Sequence, residues 1–232
     1  MKVIAEVILH YGKETLEYAL KSLEPFADKI VILYSKYPSQ GFSSPTAVNP
    51  DTREELFAIA KKFPKTEWVD CQPMGSEGEH RGRIFEYTKE YDVCMLCDAD
   101  EVYEPNDLGR VLHEVFIGDK RYYNVDGFIH FWKTKEWCCT DSFRPTRFIR
   151  LAANDNSYGE VKCRIYHFSC AQDIKTIQYK WTVSGHHDEL RKDWFQIFND
   201  WSPENQIKDV HPTSFGVWPA VQKFTGILPY GL

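Results

Sequence analysis

The sequence predicts an α/β fold: a mostly parallel sheet flanked by helices, passing into a mixed or antiparallel extension. Three observations predict it. The chain opens strand–helix–strand within about 35 residues, which calls for a parallel pair joined by a crossover helix. A later apolar run ends abruptly in the carboxylates Asp98-Ala99-Asp100-Glu101. After residue 104 strand-like runs rich in aromatic residues dominate. With 232 residues, 43% of them apolar and 27% charged, one domain with its own core is expected. Its first half is 1–104, and 105–232 is a second half with an aromatic-rich C-terminal extension.

The elements follow in order. Residues 3–9 (VIAEVIL) are apolar and β-branched, as in a buried strand. Apolar positions 16, 19, 20 and 23 give residues 13–24 a helical face, and 29–34 (KIVILY) is a second strand. The Ser-, Pro- and Gly-rich loop 35–50 leaves the end of that strand, where open α/β sheets bind ligands. Asp51 is expected to cap a helix over 52–62. A short strand at 66–70, a helix over 77–90 and a strand at 92–97 follow. In the second half a helix is expected from Pro105 to Val115, and strands at 122–132, 143–151 and 161–169. Residues 173–199 read as one long helix weakened by Gly185. The tail from Trp201 has no period and is expected to wrap over the body or line a binding site.

Composition narrows the function. A net charge of −6 gives no general attraction to nucleic acid. One basic stretch (Lys133, Lys135, Arg144, Arg147, Arg150, Lys162, Arg164) still makes a nucleic-acid partner worth testing. The seven cysteines fit a reducing, cytoplasmic setting. Cys94 and Cys97 have C-x-x-C spacing, but residues three apart on a strand face opposite sides. No run of roughly 18 apolar residues is present, so no membrane span is expected. The N-terminus enters a strand directly and lacks the shape of a signal peptide.

The carboxylate turn carries the most chemistry. Burying several carboxylates at a strand end is costly unless a cation compensates. Alternate residues of extended chain face one side, so Asp98 and Asp100 can converge on one ion. Oxygen ligands suit Mg²⁺ or Mn²⁺ shared with a substrate phosphate. The plainer alternative is a solvated acidic turn that caps the next helix.

Gly78-Glu79-His80-Arg81-Gly82-Arg83, followed by Val93-Cys94-Met95-Leu96-Cys97-Asp98-Ala99-Asp100-Glu101, resembles the nucleotide-binding half of a family 2-like glycosyltransferase. The resemblance covers the first 105 residues and implies the GT-A fold, a Rossmann-like mixed sheet flanked by helices. It implies transfer of a hexose or pentose from a nucleotide-sugar donor, a UDP-sugar first, with Mn²⁺ or Mg²⁺. By matching position, Asp98 takes the ribose contact and Asp100 the metal that bridges the diphosphate, with Arg81 near the donor. A late histidine often joins the metal in such enzymes. His167 is the choice here over His130, and its plainer alternative is a satisfied core histidine. The chain departs from the family at Leu33-Tyr34-Ser35-Lys36, where no acidic turn ends the second strand. It also lacks a clear Glu-Asp pair in the second half.

Tyr11 and Ser35 follow the first two strands, where a nucleotide should lie. Inverting transfer needs a general base, and Asp141 ranks ahead of Glu136 and Glu160. Arg83 points about 200° from Arg81 on a helix and is set aside. His186 and His187 read as an ordinary helix face, and nothing local ties Lys180 to a phosphate. The acceptor is a hydroxyl on a glycan, protein, small molecule or modified DNA base, for which the aromatic second half offers ring faces. Two rivals remain. Nucleotidyl transfer usually brings a glycine-rich basic loop after the first strand, where this chain has His10-Tyr11-Gly12-Lys13. A binding module that has lost its chemistry is the other.

Overall fold

The computed structural model describes every residue except 39–47, 141, 185–188, 214, 215 and 219. Strand β1 (Val3–Leu9), helix α1 (Lys13–Leu23) and strand β2 (Lys29–Ser35) form the expected opening, with Ile4 opposite Lys29 in a parallel pair. Helix α2 (Arg53–Ala60) leads to β3 (Thr66–Cys71), and helix α3 (Glu77–Gly82) to β4 (Val93–Asp98). The order β4-β1-β2-β3 is parallel throughout. Strands covered on both faces must be apolar on both. Accordingly Val3, Ala5 and Val7 pack into one core, and Ile4, Val31 and Leu33 into another. Cys97 and Cys94 are divided between the same two cores, and all seven cysteines are free.

The extension begins with β5 (Glu101–Tyr103) and helix α4 (Pro105–Ile117). Strands β6 (Tyr122–Trp132), β7 (Thr134–Cys139), β8 (Thr146–Arg150) and β9 (Tyr158–Cys170) follow. β8 joins the parallel part by running antiparallel to β4, with Met95 opposite Phe148. β6 pairs antiparallel with β8 and β7 and parallel with β9, which also pairs antiparallel with β5. This is the mixed α/β sheet that the GT-A resemblance implies. A two-residue strand β10 (Gln222–Lys223) closes the edge on β7.

Three local expectations are corrected. Asp51 does not cap α2; Thr52 does, in a capping box with Glu55. Asp51 instead accepts from the backbone N–H groups of Gly12 and Lys13 at 2.7 and 2.8 Å, so it caps α1 from a distant segment. The expected helix 77–90 stops at Gly82 and continues only as a 3₁₀ turn over Arg83–Glu86. The expected helix 173–199 is two helices, α5 (Ile174–Val183) and α6 (Trp194–Asp200), since Ser184 turns extended at ψ 134°.

Many of the late aromatics build a second core. Trp132, Trp194, Trp201 and Trp218 are buried together with Ile177, Phe198 and Val221. That core holds α5 and α6 against the end of β6. Among the described residues no helix is long and apolar enough to cross a membrane.

Candidate active site

A cleft of about 480 Å³ opens at the C-terminal ends of β1 and β4. Tyr11 and Gly12 of the β1–α1 turn line one wall, and Arg81 of α3 another. The carboxylate turn forms the floor, and Phe128, His130, Arg147, His167 and Lys180 complete the wall from the second half.

Strand register explains which side chains meet. β5 starts at once after Asp100 and pairs with β9 so that Glu101 lies opposite His167. β6 pairs with β9 so that His130 lies opposite the same His167. His167 Nε2 therefore lies 3.5 Å from Asp100 Oδ1, while its Nδ1 lies 2.9 Å from His130 Nδ1. The His130 ring also stacks on Trp218, with centroids 4.7 Å apart. Arg147 lies one residue beyond Phe148, so β8 delivers its guanidinium to the end of β4.

The charged groups form two sets. In the first, Asp98 sits between two guanidinium groups: Oδ1 accepts from Arg81, and Oδ2 from Arg147 at 3.0 Å. Arg147 also donates to both Glu101 oxygens, at 2.5 and 2.8 Å. Arg81 reaches Glu77 at 2.9 Å and Glu6 at 3.2 Å. Glu6 is completely buried in β1, and its Oε2 has no hydrogen-bond partner. Burial pushes the Glu6 carboxyl up to about 8 despite Arg81. Burial raises Glu101 too, against Arg147, whereas for Asp98 the two arginines override burial and hold the carboxyl low. In the second set, Lys180 Nζ lies 3.1 Å from Asp100 Oδ2 and 2.7 Å from Ser169 Oγ. Burial disfavours the Asp100 charge, but Lys180 and His167 outweigh it and keep the carboxyl ionised.

Tyr179, next to Lys180, fixes α5 to the sheet. His10 Nδ1 lies 2.8 Å from the Ser35 carbonyl and must donate to it. In the neutral ring Nε2 then accepts from the Tyr179 hydroxyl, 2.7 Å away.

The residues singled out from sequence fall unequally in this geometry. Arg81, Asp98, Asp100, His167 and Tyr11 all line the cleft. Ser35 is fully buried beside it, with its hydroxyl donating to the Tyr37 carbonyl at 2.6 Å. Asp141, His186 and His187 lie outside the described residues. Arg83 turns away to Glu86. The basic stretch is dispersed: Arg147 enters the cleft, Arg144 pairs with Glu160, Arg164 with Asp107, and Lys133 binds the Trp201 carbonyl. Sequence reasoning passed over Glu6, Glu101, Arg147 and Lys180 as members of the site. Glu6 did carry a signal, a lone carboxylate in the wholly apolar VIAEVIL, which demands a buried partner.

A divalent ion was expected on Asp98, Asp100 and His167. Among the described residues no cluster of three or more His, Cys, Asp or Glu groups could hold a metal. Asp98 does not suit the role, because two guanidinium groups flank it and would repel a cation. Asp100 and His167 do face each other at ligand-like separation. Mg²⁺ is commonly held by one or two carboxylates and completes its shell with water and substrate phosphate. Asp100 would supply one carboxylate of such a shell, with the His167 imidazole beside it.

No family model matches the sequence, and no curated protein matches it. Solved structures do resemble the chain. S. aureus TarS 1-349 matches at TM-score 0.48 and 13% identity, covering 85% of this chain and 75% of that one. Glucosyl-3-phosphoglycerate synthase from Mycobacterium tuberculosis, in complex with Mn²⁺, UDP and phosphoglyceric acid, matches at TM-score 0.40 and 13% identity. That match covers 55% of this chain and 43% of the synthase, so the chain spans less than half the length of that relative.

Proposed function

We propose that the chain transfers a sugar from a nucleoside diphosphate donor, a UDP-sugar first, to a hydroxyl acceptor, with Mn²⁺ or Mg²⁺ at Asp100 and His167. The observation that carries this reading is the convergence of Arg81, Arg147 and Lys180 with Asp98, Asp100 and His167 in one cleft at the sheet's C-terminal edge. Such an edge is where α/β sheets bind nucleotides. The three cations are paired with carboxylates at rest, and a diphosphate entering the cleft would compete with those carboxylates for them.

In the reaction the bond between the anomeric carbon and the diphosphate oxygen breaks, and its electron pair leaves with the diphosphate. The acceptor oxygen bonds to that carbon and gives its proton to a base. Arg81, Arg147 and Lys180 stand where they can neutralise the departing diphosphate. A bound divalent ion supplies Lewis-acid neutralisation of the same charge. Asp98, held by two arginines, keeps both in place and offers its free lone pairs to the ribose. Tyr11, Phe128 and Phe143 also line the cleft. Asp141 remains the proposed base, and the acceptor a glycan, a small molecule or a modified nucleic-acid base.

Nucleotidyl transfer is less well served. The cation it would need after β1 is Lys13, which is bound to Glu55 at 2.8 Å on the exposed side of α1.

Calorimetric titration of nucleoside diphosphates, with and without Mn²⁺, tests the reading. UDP should bind more tightly with Mn²⁺, and Arg81→Ala should weaken it about tenfold or more, as expected when a charge-assisted hydrogen bond is lost. If no nucleoside diphosphate binds to folded protein, the reading fails.

A further inference from the structure

The cleft already contains a cation on the carboxylate that the metal would use. Lys180 Nζ binds Asp100 Oδ2 at 3.1 Å, while His167 approaches the other oxygen at 3.5 Å. One flank of Asp100 thus faces the imidazole and the other is covered by an ammonium. We propose that Lys180 is a resident counter-cation for Asp100 in the donor-free protein, and that it passes to the donor diphosphate when a divalent ion takes Asp100. This rests on the glycosyl-transfer reading above.

Three features support the exchange. Asp100 is buried, and a buried carboxylate without a cation is costly, so some positive charge must stay beside it before a donor arrives. Lys180 is built to move: its ammonium ends a flexible four-carbon stem, unlike the rigid fork of Arg147. Tyr179, anchored on His10, fixes the backbone of α5 at the adjacent position, so the side chain can swing while the helix stays.

The consequence is ordered binding. With Lys180 in place, a divalent ion meets a like charge and binds poorly to the free protein. With a diphosphate present, the ammonium gains a new partner, and the ion and the donor enter together. Lys180 therefore acts with opposite sign on two ligands, which a merely structural lysine does not.

Free Mn²⁺ is measured by electron paramagnetic resonance during titration of the donor-free protein. Lys180→Met is expected to bind Mn²⁺ about tenfold or more tightly than wild type, through loss of like-charge repulsion in a site of low effective dielectric. The same variant is expected to bind UDP, at saturating Mn²⁺, about tenfold more weakly. Adding Asp100→Asn to it should abolish the gain in Mn²⁺ affinity. Should Lys180→Met not fold, Lys180→Gln keeps a donor for Asp100 without the charge and should show the same opposed shifts. Unchanged or weaker Mn²⁺ binding by the folded, uncharged variant overturns the proposal. If wild type still binds Mn²⁺ with UDP in that case, the glycosyl-transfer reading stands. If wild type binds no nucleoside diphosphate, both fall.

Discussion

The rings of His130 and His167 meet Nδ1 to Nδ1 at 2.9 Å, so one nitrogen must donate and the other accept. If His167 presents the Nε2 lone pair to an ion beside Asp100, its Nδ1 carries the proton and donates to His130. His130 then holds its own proton on Nε2. The strand register that sets His130 opposite His167 thus couples the tautomers of the two rings. Partners of this kind are worth about 10–100-fold in metal affinity. His130→Phe should lower Mn²⁺ affinity by that factor in the presence of UDP, measured by calorimetry, while His130→Asn should retain more of it. Equal affinity in His130→Phe and wild type would remove His130 from the site.

Arg147 is the cation shared by Asp98 and Glu101. Arg147→Met leaves the buried Glu101 carboxylate without its cation beside the partly buried Asp98, and breaking such a pair costs about 3–5 kcal/mol. The cost should depend on pH. Burial already raises the Glu101 carboxyl, and loss of Arg147 raises it further. A raised carboxyl favours the fold below its unfolded value and opposes it as pH climbs through the folded one. Urea denaturation should therefore show a larger deficit for Arg147→Met at pH 8 than at pH 5.5. A deficit independent of pH would contradict the pairing.

Glu6 gives a second pH signature by the same sign. Its carboxyl is pushed from 4.5 to about 8 by burial, so the folded protein binds a proton that the unfolded chain releases. Wild type should lose stability relative to Glu6→Gln between pH 5 and 8, by up to roughly 1.4 kcal/mol per pH unit. Parallel stability curves for the two proteins would show that Glu6 is ionised in the fold.

Gly12 links the β1–α1 turn to the carboxylate turn. Its φ is +131°, and a Cβ there would lie 3.0 Å from the Ala99 Cβ, between Asp98 and Asp100. Gly12→Ala should cost more than about 1 kcal/mol, since the native φ is strained for alanine. It should also weaken UDP binding by displacing Ala99. Thermal unfolding and a UDP titration would check the two effects together.

What the sequence disclosed follows from the reach of each signal. β1 was legible to the residue because a strand covered on both faces is apolar almost throughout, Glu6 being its single exception. Asp98 and Asp100 stood out because they end an apolar strand, and Arg81 because of the resemblance to the glycosyltransferase pattern. The helix over 173–199 was misread because α5 and α6 each keep helical spacing toward the same second core. Asp51 caps a helix some 40 residues earlier, and Arg147 meets Asp98 across 49 positions, distances that no local pattern encodes. Lys180 reaches Asp100 over 80 positions. The short strands β5, β7 and β10 have no period to read, yet β5 is what brings His167 to the carboxylate turn.

The central claim is tested most directly by release of nucleoside diphosphate from a panel of nucleotide sugars, with Mn²⁺, with Mg²⁺ and with chelator. Wild type should release UDP from at least one UDP-sugar in the presence of metal and stop when the ion is chelated. Asp100→Ala should lose at least about a hundredfold in rate, the scale for removing an element of preorganised charge. No release and no binding of any nucleotide sugar by well-folded wild type would contradict the account, as would full activity in Asp100→Ala.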